Sequence, residues 1–261
     1  MSKKVVFITP IPIEFNAAKE IFGLSESKTV NGCRLCMIEK HGLCIYCLLS
    51  GPGKTRSAQA TTAFIERYAP SLVIDTGTCA GLSPVIAIGD VIISYRCFEF
   101  DIGGQRFPTR KIKEMELESG FRFLSESVRE VLICRAGVCA QKCNMRLIEA
   151  TQAAGEILIN SGELKNKLFE LFQTAGGNWE TAAVFLSSLR ASLPALSLRI
   201  VSDLGETAAV KEFRSHAKSV ARRLFQFIDA LCSDGWFGKL LEEWMNVKDT
   251  VIERLPRSVL P

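Results

Sequence analysis

Three carboxylates of this chain lie beside the ends of predicted strands, where acid–base chemistry is possible. Glu14 follows the first strand, Glu180 opens a predicted helix, and Asp203 ends the apolar run 198–202. Ligands of open α/β sheets bind at the carboxyl ends of strands, and a partly buried carboxyl group there can serve as a general acid or base. Simpler roles remain open: Glu14 favours a helix dipole, and Asp203 caps a turn.

A glycine-rich segment between two predicted strands offers a place for a small ligand. The apolar run 72–74 predicts a buried strand that continues into the small residues of 76–82. A Gly89-Asp90 turn then precedes a second apolar run, 91–94. Glycines after a strand let backbone amides approach a ligand closely, because no Cβ stands in the way.

Residues 50–55 contain the Gly-Lys-Thr sequence of a phosphate-binding loop. That loop also needs a glycine five residues before Gly53, and Leu48 stands there. Nucleoside-triphosphate binding is therefore not predicted.

The composition is that of an ordinary globular chain. Its 261 residues are 48% hydrophobic and 23% charged, with a net charge of +4, and a chain of this length buries roughly 70–75% of its unfolded surface. Acidic and basic residues are interspersed, and the sequence lacks the basic stripe that would indicate nucleic-acid binding. No apolar run reaches the roughly 18 residues of a membrane span. We therefore expect no nucleic-acid partner and no membrane partner.

Ten cysteines occur in the chain, and Cys33/Cys36 and Cys44/Cys47 have the spacing of zinc ligands. Both pairs lie in apolar runs that predict strands, and cysteine also behaves as a small buried hydrophobe. Core thiols are the favoured interpretation, with zinc binding and redox use as alternatives. No metal and no cofactor is predicted. Cysteines without evident pairing favour a reducing cytoplasm.

Predicted strands and helices alternate along the chain. The strands are predicted at 5–9, 34–39, 43–49, 72–76, 90–95, 156–160 and 195–202. The helices are predicted at 12–22, 54–68, 121–133, 162–172, 178–193 and 210–232. The charged, proline-interrupted segment 103–118 is predicted to be a surface loop or lid.

This alternation predicts an α/β fold, a single-domain three-layer α/β/α arrangement with a mixed, mostly parallel central sheet. We see neither an internal repeat nor a linker, so residues 1–232 are predicted to form one domain. Residues 233–261 form a C-terminal extension, in which Trp236 and Phe237, with Leu240, Leu241 and Trp244, predict an amphipathic helix that packs on the body or on a partner.

The motifs at 9–14, 50–54, 73–82, 89–93, 178–183 and 199–203 together resemble the nucleoside phosphorylase/nucleosidase superfamily. The chain is most similar to its hydrolytic branch, the methylthioadenosine/S-adenosylhomocysteine nucleosidases, with the futalosine hydrolases as close relatives. The resemblance runs from Lys3 to Cys232 and is weak over 103–154. It implies a nucleoside phosphorylase-like fold and cleavage of the N-glycosidic bond of a purine nucleoside.

The resemblance implies catalytic roles for the three carboxylates. Glu14 would orient and deprotonate the attacking water. Glu180 would accept hydrogen bonds from the ribose 2′- and 3′-hydroxyls, as a carboxylate can. Asp203 would protonate purine N7, so that the base leaves as a neutral molecule while the ribosyl oxocarbenium ion forms.

The resemblance also implies a substrate-binding set: Thr78, Pro52, Leu158, Ile159, Trp179, Arg199 and Ser202. Arg199 would lie on the water and ribose side, and Pro52 beside the ribose 5′ substituent. Leu158 stands where relatives usually stack a phenylalanine on the purine, and Trp179 stands where they carry a methionine. A buried strand at 158–159 and core packing of Trp179 remain the structural alternatives.

Two functional choices follow. Phosphorylases of this superfamily bind phosphate through arginines, one of them at the position of Asp75, and 9–14 also lacks basic residues. Water is therefore the favoured nucleophile. Methylthioadenosine or S-adenosylhomocysteine is the favoured substrate, and futalosine or aminodeoxyfutalosine the alternative. A phosphorylase or a non-catalytic nucleoside-binding relative is less favoured.

A homodimer is also predicted. The nucleosidases that the chain resembles dimerise through the region after the Gly-Asp strand, here 98–108. Phe98, Phe100, Ile102 and Phe107 form an apolar set that is expected to be exposed and to mark an interface. The partner subunit would help to close the pocket for the 5′ substituent.

Overall fold

The computed structural model describes residues 3–24, 28–102 and 116–254, and the strands of these segments form one sheet. The strands are β1 (Lys3–Thr9), β2 (Lys28–Val30), β3 (Cys33–Lys40), β4 (Leu43–Leu49), β5 (Leu72–Gly81), β6 (Val91–Ser94), β7 (Arg96–Glu99), β8 (Glu116–Glu118), β9 (Leu147–Glu149), β10 (Thr151–Ala154), β11 (Thr174–Asn178) and β12 (Ala195–Asp203). The helices are α1 (Pro12–Phe22), α2 (Lys54–Tyr68), α3 (Glu126–Lys142), α4 (Gly162–Phe172), α5 (Thr181–Arg190), α6 (Ala209–Ser233) and α7 (Trp236–Arg254).

The centre of the sheet is parallel. β4, β1, β5 and β12 are successive neighbours, and each pair runs parallel. β3 and β2 extend one edge in antiparallel fashion. Beyond the end of β5, the sheet continues through β11, β10, β7 and β8, whereas β12 leads to β6 and β9. The sheet therefore divides at the carboxyl end of β5.

Helices cover both faces of the sheet. Val5 and Phe7 pack into one apolar cluster with residues of α1, α3, α6 and α7, and Val6 and Ile8 pack into a second cluster with residues of α2 and α5. Successive residues of a strand point to opposite faces, so a continuous apolar strand requires a core on each side. The predicted three-layer α/β/α fold with a mixed sheet is confirmed.

α1, α2 and α4 have the bounds that the sequence predicts, but several other elements differ. The segment 156–160 is irregular, and the strand of this region is β10, which ends at Ala154. The predicted helix 121–133 is a short 3₁₀ turn, Gly120–Phe123, followed by α3, where the hydroxyl of Ser125 accepts the Val128 amide. The predicted helix 178–193 begins only after β11, at Thr181.

The segment predicted to supply an exposed apolar patch is mostly buried within the chain. Phe98 and Phe100 are only 6% and 1% exposed and pack with Leu168 and Phe172 beneath α4. Ile102 is exposed, while Phe107 and most of the predicted surface loop lie outside the described residues. The expectation that Phe98 and Phe100 are exposed is therefore wrong, because α4 covers this edge of the sheet.

The last described helix packs on the core beside β1. Trp236 and Phe237 are fully buried, and the Trp236 indole donates to the carbonyl of Leu132 at 2.7 Å. Lys3 Nζ donates to the carbonyl of Gly238 at 3.0 Å. In the part of the chain that the structure describes, no helix combines the length and apolar character that a membrane crossing requires.

The cysteines of the predicted zinc spacing lie in the β3–β4 hairpin. Cys36 and Cys47 stand directly opposite each other, and both are buried with Cys232 in the main apolar cluster. Burial raises the pKa of the Cys47 thiol well above its usual range, which keeps this thiol protonated. Within the described segments, no three His, Cys, Asp or Glu side chains are placed to hold a metal ion.

Candidate active site

The site forms at the part of β5 where the pairing with β1 has ended and the pairing with β11 has not yet begun. β1 pairs with β5 only as far as Asp75, and β11 joins β5 only at Ala80. Between these residues, one edge of β5 has no strand partner among the described residues. Its backbone amides are therefore available to other groups, since backbone donors away from water need acceptors. Such switch points are where α/β sheets bind ligands.

A cavity of about 400 Å³ opens at this point, a size typical of small-molecule sites. All ten residues singled out from the sequence line it: Glu14, Pro52, Thr78, Leu158, Ile159, Trp179, Glu180, Arg199, Ser202 and Asp203. They come from the first turn of α1, from the loops after β4, β10 and β11, and from β5 and β12. Their individual roles stay predictions, but the fold brings all of them to one place.

Glu14 lies at the floor of the cavity and is only 1% exposed. Its Oε1 accepts the backbone amide of Thr78 at 2.7 Å and the Thr78 hydroxyl at 2.9 Å, and its Oε2 accepts the amide of Ile11 at 3.3 Å. Burial raises the pKa of Glu14 to about 7, against the opposing effect of the nearby Arg199 guanidinium. Glu14 can therefore gain or lose a proton near neutral pH.

Gly77 allows the carboxyl group of Glu14 to lie against the backbone of β5. A Cβ at this position would lie 2.8–2.9 Å from the carboxyl group of Glu14, and the backbone φ is +142°. Any larger residue would displace Glu14, and this backbone conformation is one that only glycine adopts readily. The glycine in the small-residue turn therefore serves the contact between β5 and the carboxylate.

Glu180 is held from two sides at the start of α5. Its Oε1 accepts the amide of Gly53 at 3.0 Å, and its Oε2 accepts Nη2 of Arg199 at 3.0 Å. Burial raises the pKa of Glu180, while Arg199 acts in the opposite direction. Asn178 fixes the backbone here, because its Oδ1 accepts the amides of Glu180 and Thr181 at 2.9 Å.

Asp75 lies behind Arg199 rather than on the cavity wall. Its two carboxylate oxygens accept Nη2 and Nε of Arg199 at 2.7 and 2.8 Å, and Oδ2 also accepts the hydroxyls of Thr181 and Ser197. Arg199 Nη1 donates to the carbonyl of Thr78 at 2.9 Å. The arginine is thus committed to protein acceptors, so Asp75 affects an incoming anion mainly by occupying Arg199.

Asp203 stands at the end of β12, just after an irregularity in its pairing with β5. Such bulges redirect side chains at the edges of active sites. Its Oδ2 accepts the Ser202 hydroxyl at 2.9 Å and its Oδ1 accepts the amide of Gly205 at 3.1 Å. Burial raises the pKa of Asp203, which favours the protonated form that an acid requires. Asp203 therefore both caps the turn at Gly205 and lines the cavity.

Part of the cavity wall is apolar. Leu158 is 47% exposed, Ile159 is buried, and Trp179 donates its indole N–H to the carbonyl of Ile157 at 3.2 Å. The buried-strand alternative for 158–159 is wrong, because the chain leaves the sheet after β10. A side chain at Gly177 would collide with Ile159, so the glycines of β11 leave room for this wall.

Sequence reasoning missed the wall that α6 supplies. Ala209, Val210, Phe213 and Arg214 line the cavity from the first two turns of that helix. Their signal is the i, i+3, i+4 spacing of Val210, Phe213 and Arg214 directly after the strand that ends at Asp203. That pattern is also that of an ordinary amphipathic helix, so it did not by itself indicate a site.

The α/β/α sandwich with a carboxylate-lined cavity at the division of its sheet has the nucleoside phosphorylase-like architecture. The family model of the phosphorylase superfamily matches residues 4–233. The chain belongs to this superfamily.

Named relatives agree with this assignment. A 5′-methylthioadenosine/S-adenosylhomocysteine nucleosidase of Bacillus thuringiensis (strain Al Hakam) is 26% identical over 247 residues, which cover 92% of this chain and 99% of that protein. The solved structure of the Helicobacter pylori nucleosidase of the same name, with butyl-thio-DADMe-Immucillin-A, has a TM-score of 0.77 at 21% identity and covers 90% of this chain and 99% of its own. Native futalosine hydrolase of Helicobacter pylori has a TM-score of 0.75 at 22% identity, with 90% and 99% coverage. These structures establish the shared fold.

Proposed function

We propose that this chain hydrolyses the N-glycosidic bond of a purine nucleoside such as 5′-methylthioadenosine or S-adenosylhomocysteine, releasing the free base and the ribosyl product. The observation that carries the proposal is the presence of Glu14, Glu180 and Asp203 in one cavity. The names of the curated relatives support the same substrates.

Glu14 is the proposed base. Thr78 occupies one of its carboxylate oxygens with two hydrogen bonds, whereas the other oxygen receives only the longer bond from Ile11. That second oxygen is available to accept a proton from water. A base whose pKa is about 7 is matched to catalysis near neutral pH.

Asp203 is the proposed acid and Glu180 the proposed ribose ligand. The raised pKa of Asp203 favours a proton at the carboxyl group, and transfer of that proton to purine N7 makes the base a neutral leaving group. Arg199 and the Gly53 amide hold Glu180 in place. In that position its carboxylate can accept hydrogen bonds from the two ribose hydroxyls.

Water is the proposed nucleophile because the surroundings of Glu14 disfavour an anion. Three carboxylates line the cavity, and the guanidinium of Arg199 is engaged by Asp75, Glu180 and Thr78. A phosphate ion would have to displace these partners and approach Glu14 and Glu180. The energetic cost of uncompensated buried charge opposes that.

We therefore expect turnover that is independent of phosphate. The protein is incubated with methylthioadenosine, S-adenosylhomocysteine or aminodeoxyfutalosine, with and without inorganic phosphate, and the products are followed by NMR. Free base and free sugar are expected at the same rate in both conditions. A ribose 1-phosphate product would contradict the hydrolase assignment, and absence of any turnover would favour a non-catalytic nucleoside-binding protein.

Futalosine-type substrates are the second candidate. The fold matches futalosine hydrolase about as well as it matches the nucleosidase. Faster release of base from aminodeoxyfutalosine than from methylthioadenosine, measured in the same assay, would favour this candidate.

We also propose a cytoplasmic homodimer. All ten cysteines are free thiols, which supports a reducing compartment. Ile157, Leu158 and Trp179 are exposed around the cavity mouth. Asp101 accepts the amide of Glu156 at 2.9 Å, which brings the exposed Ile102 to the same area. An apolar patch beside a substrate cavity fits a subunit interface.

The dimer predicts a mass of twice 28.8 kDa in light scattering at micromolar concentration. The double variant Ile102→Lys/Ile157→Lys should be monomeric, since charges at the centre of an apolar interface are strongly unfavourable. Val138→Lys, on the exposed side of α3, is the control and should stay dimeric. A wild-type protein that is monomeric and fully active would overturn this proposal.

A further inference from the structure

One wall of the cavity combines apolar side chains with a single cation. Val210, Phe213 and Arg214 line the cavity from α6, and Pro10 and Ile11 line it from the loop after β1. Residues at i, i+3 and i+4 share a helix face, so Arg214 lies next to the apolar surface that Val210 and Phe213 form. This wall is unlike the floor, where carboxylates dominate.

Among the residues that the structure describes, Arg214 has no partner that accounts for its charge. It makes no hydrogen bond or ion pair with any described residue, in contrast to Arg222 on the same helix, which pairs with Glu20 at 2.9 Å. Its neighbours one turn away are the exposed cations Lys211 and Lys218. The contacts that the structure describes for α6 therefore do not account for this charge.

The position of Arg214 relative to the carboxylates limits what it can contact. In the proposed function, Asp203 protonates the purine, Glu180 binds the ribose hydroxyls and Glu14 activates the water. The part of a nucleoside left without a polar partner is its 5′ substituent. The wall from α6 and the loop after β1 is the part of the cavity that these three groups leave unassigned.

We propose that Arg214 binds a carboxylate at the end of the substrate's 5′ substituent, so that the site prefers nucleosides with an anionic 5′ tail. The inference rests on the proposed function and specifies its substrate class. Val210, Phe213 and Ile11 contact the apolar stem of the tail, and the guanidinium forms a charge-assisted hydrogen bond with the carboxylate.

The charge distribution also favours one orientation of such a substrate. Glu14, Glu180 and Asp203 are buried in the cavity, whereas Arg214 is exposed, as are Lys211 and Lys218 one turn away. A carboxylate is repelled by the ionised forms of Glu14 and Glu180 and attracted by Arg214, and complementary charges of this kind set specificity. The neutral base and ribose therefore enter first, and the anionic end stays at the mouth.

The test uses two adenosines that differ only in charge: 5′-(3-carboxypropylthio)adenosine and its carboxamide. The ratio of kcat/KM for the acid to that for the amide is measured with wild type and with Arg214→Gln. Wild type should prefer the acid by about tenfold, and the variant should lose most of that preference, mainly through KM. Arg222→Gln, two turns further along α6, is the control and should keep the wild-type ratio.

The same pair of compounds separates failure of this inference from failure of the proposed function. Binding of both is also measured by calorimetry with Asp203→Asn, alone and combined with Arg214→Gln. A preference for the acid that survives Arg214→Gln, or no preference in wild type, overturns the role of Arg214. Cleavage of neither compound by wild type overturns the proposed reaction, while the calorimetric ratio still decides whether Arg214 binds the carboxylate.

Discussion

Asp203→Asn is expected to lower kcat by at least ~100-fold, the usual scale for loss of a general acid. The asparagine Oδ1 can still accept the amide of Gly205, and its Nδ2 can donate to the Ser202 hydroxyl, which keeps the Cys79 carbonyl as its own acceptor, so the fold and the end of β12 should be unchanged. The asparagine side chain cannot transfer a proton to the leaving base. Nucleoside binding, measured by calorimetry, should therefore remain within a few-fold of wild type.

A carboxylate outside the cavity provides the control for this experiment. Asp229 on α6 pairs with Lys40 at 2.7 Å and does not line the cavity, so Asp229→Asn should retain wild-type kcat. If Asp203→Asn retained activity within threefold of wild type, Asp203 would have no part in proton transfer.

Glu14→Gln is expected to have a comparable effect on kcat, with a distinct dependence on pH. The base must be deprotonated to activate water, and burial raises the pKa of Glu14 to about 7. In wild type, kcat/KM should therefore decrease as the pH falls below about 7. Glutamine does not titrate, so the residual activity of the variant should lack this acidic limb. An acidic limb that persists unchanged in Glu14→Gln would assign it to another group.

The stability of the same variant gives an independent test of the buried carboxyl. The pKa of Glu14 is higher in the folded protein than the ordinary value of 4.5, so the folded state retains this proton more strongly than the unfolded state. The corresponding stabilisation is complete below pH 4.5 and is lost as the pH rises through 7. Glu14→Gln should therefore have a higher free energy of unfolding than wild type at pH 8.5, by about 2 kcal/mol. The difference should be smaller at pH 5, as measured by urea denaturation.

A gain in stability with a loss of activity would identify Glu14 as a group that is retained for chemistry. Residues of active sites are often unfavourable for stability. If the variant were less stable than wild type at pH 8.5, the hydrogen bonds from Thr78 and Ile11 would outweigh the cost of burying the charge, and Glu14 would be mainly structural.

The sequence predicted the elements whose signals are local. α1 begins at Pro12, a residue suited to the first helical turn, and its bounds agree with those predicted. The small-residue turn after 72–74, and the carboxylates beside strand ends, were also readable, because each motif lies within a few consecutive residues. The fold class followed from the alternation of these elements.

Two errors of the sequence interpretation have the same physical origin. The apolar residues of 156–160 predict a strand, but they lie at the cavity. Phe98 and Phe100 are predicted to be exposed, but they are buried beneath α4. An apolar run shows that a segment avoids water. It does not show whether a sheet, a helix or a ligand site covers that segment, since this depends on residues far away in the chain.

The layered α/β fold, the three carboxylates and the residues beside them can be read from the amino-acid sequence. How these groups act on one another depends on the tertiary structure. Thr78 holds Glu14 from 64 residues away, and Asp75 holds Arg199 from 124 residues away. The pKa of Glu14 follows from its desolvation and from Arg199, and α6 completes the cavity with Arg214. Burial and charge act through space, so the properties of the site depend on contacts that sequence spacing does not show.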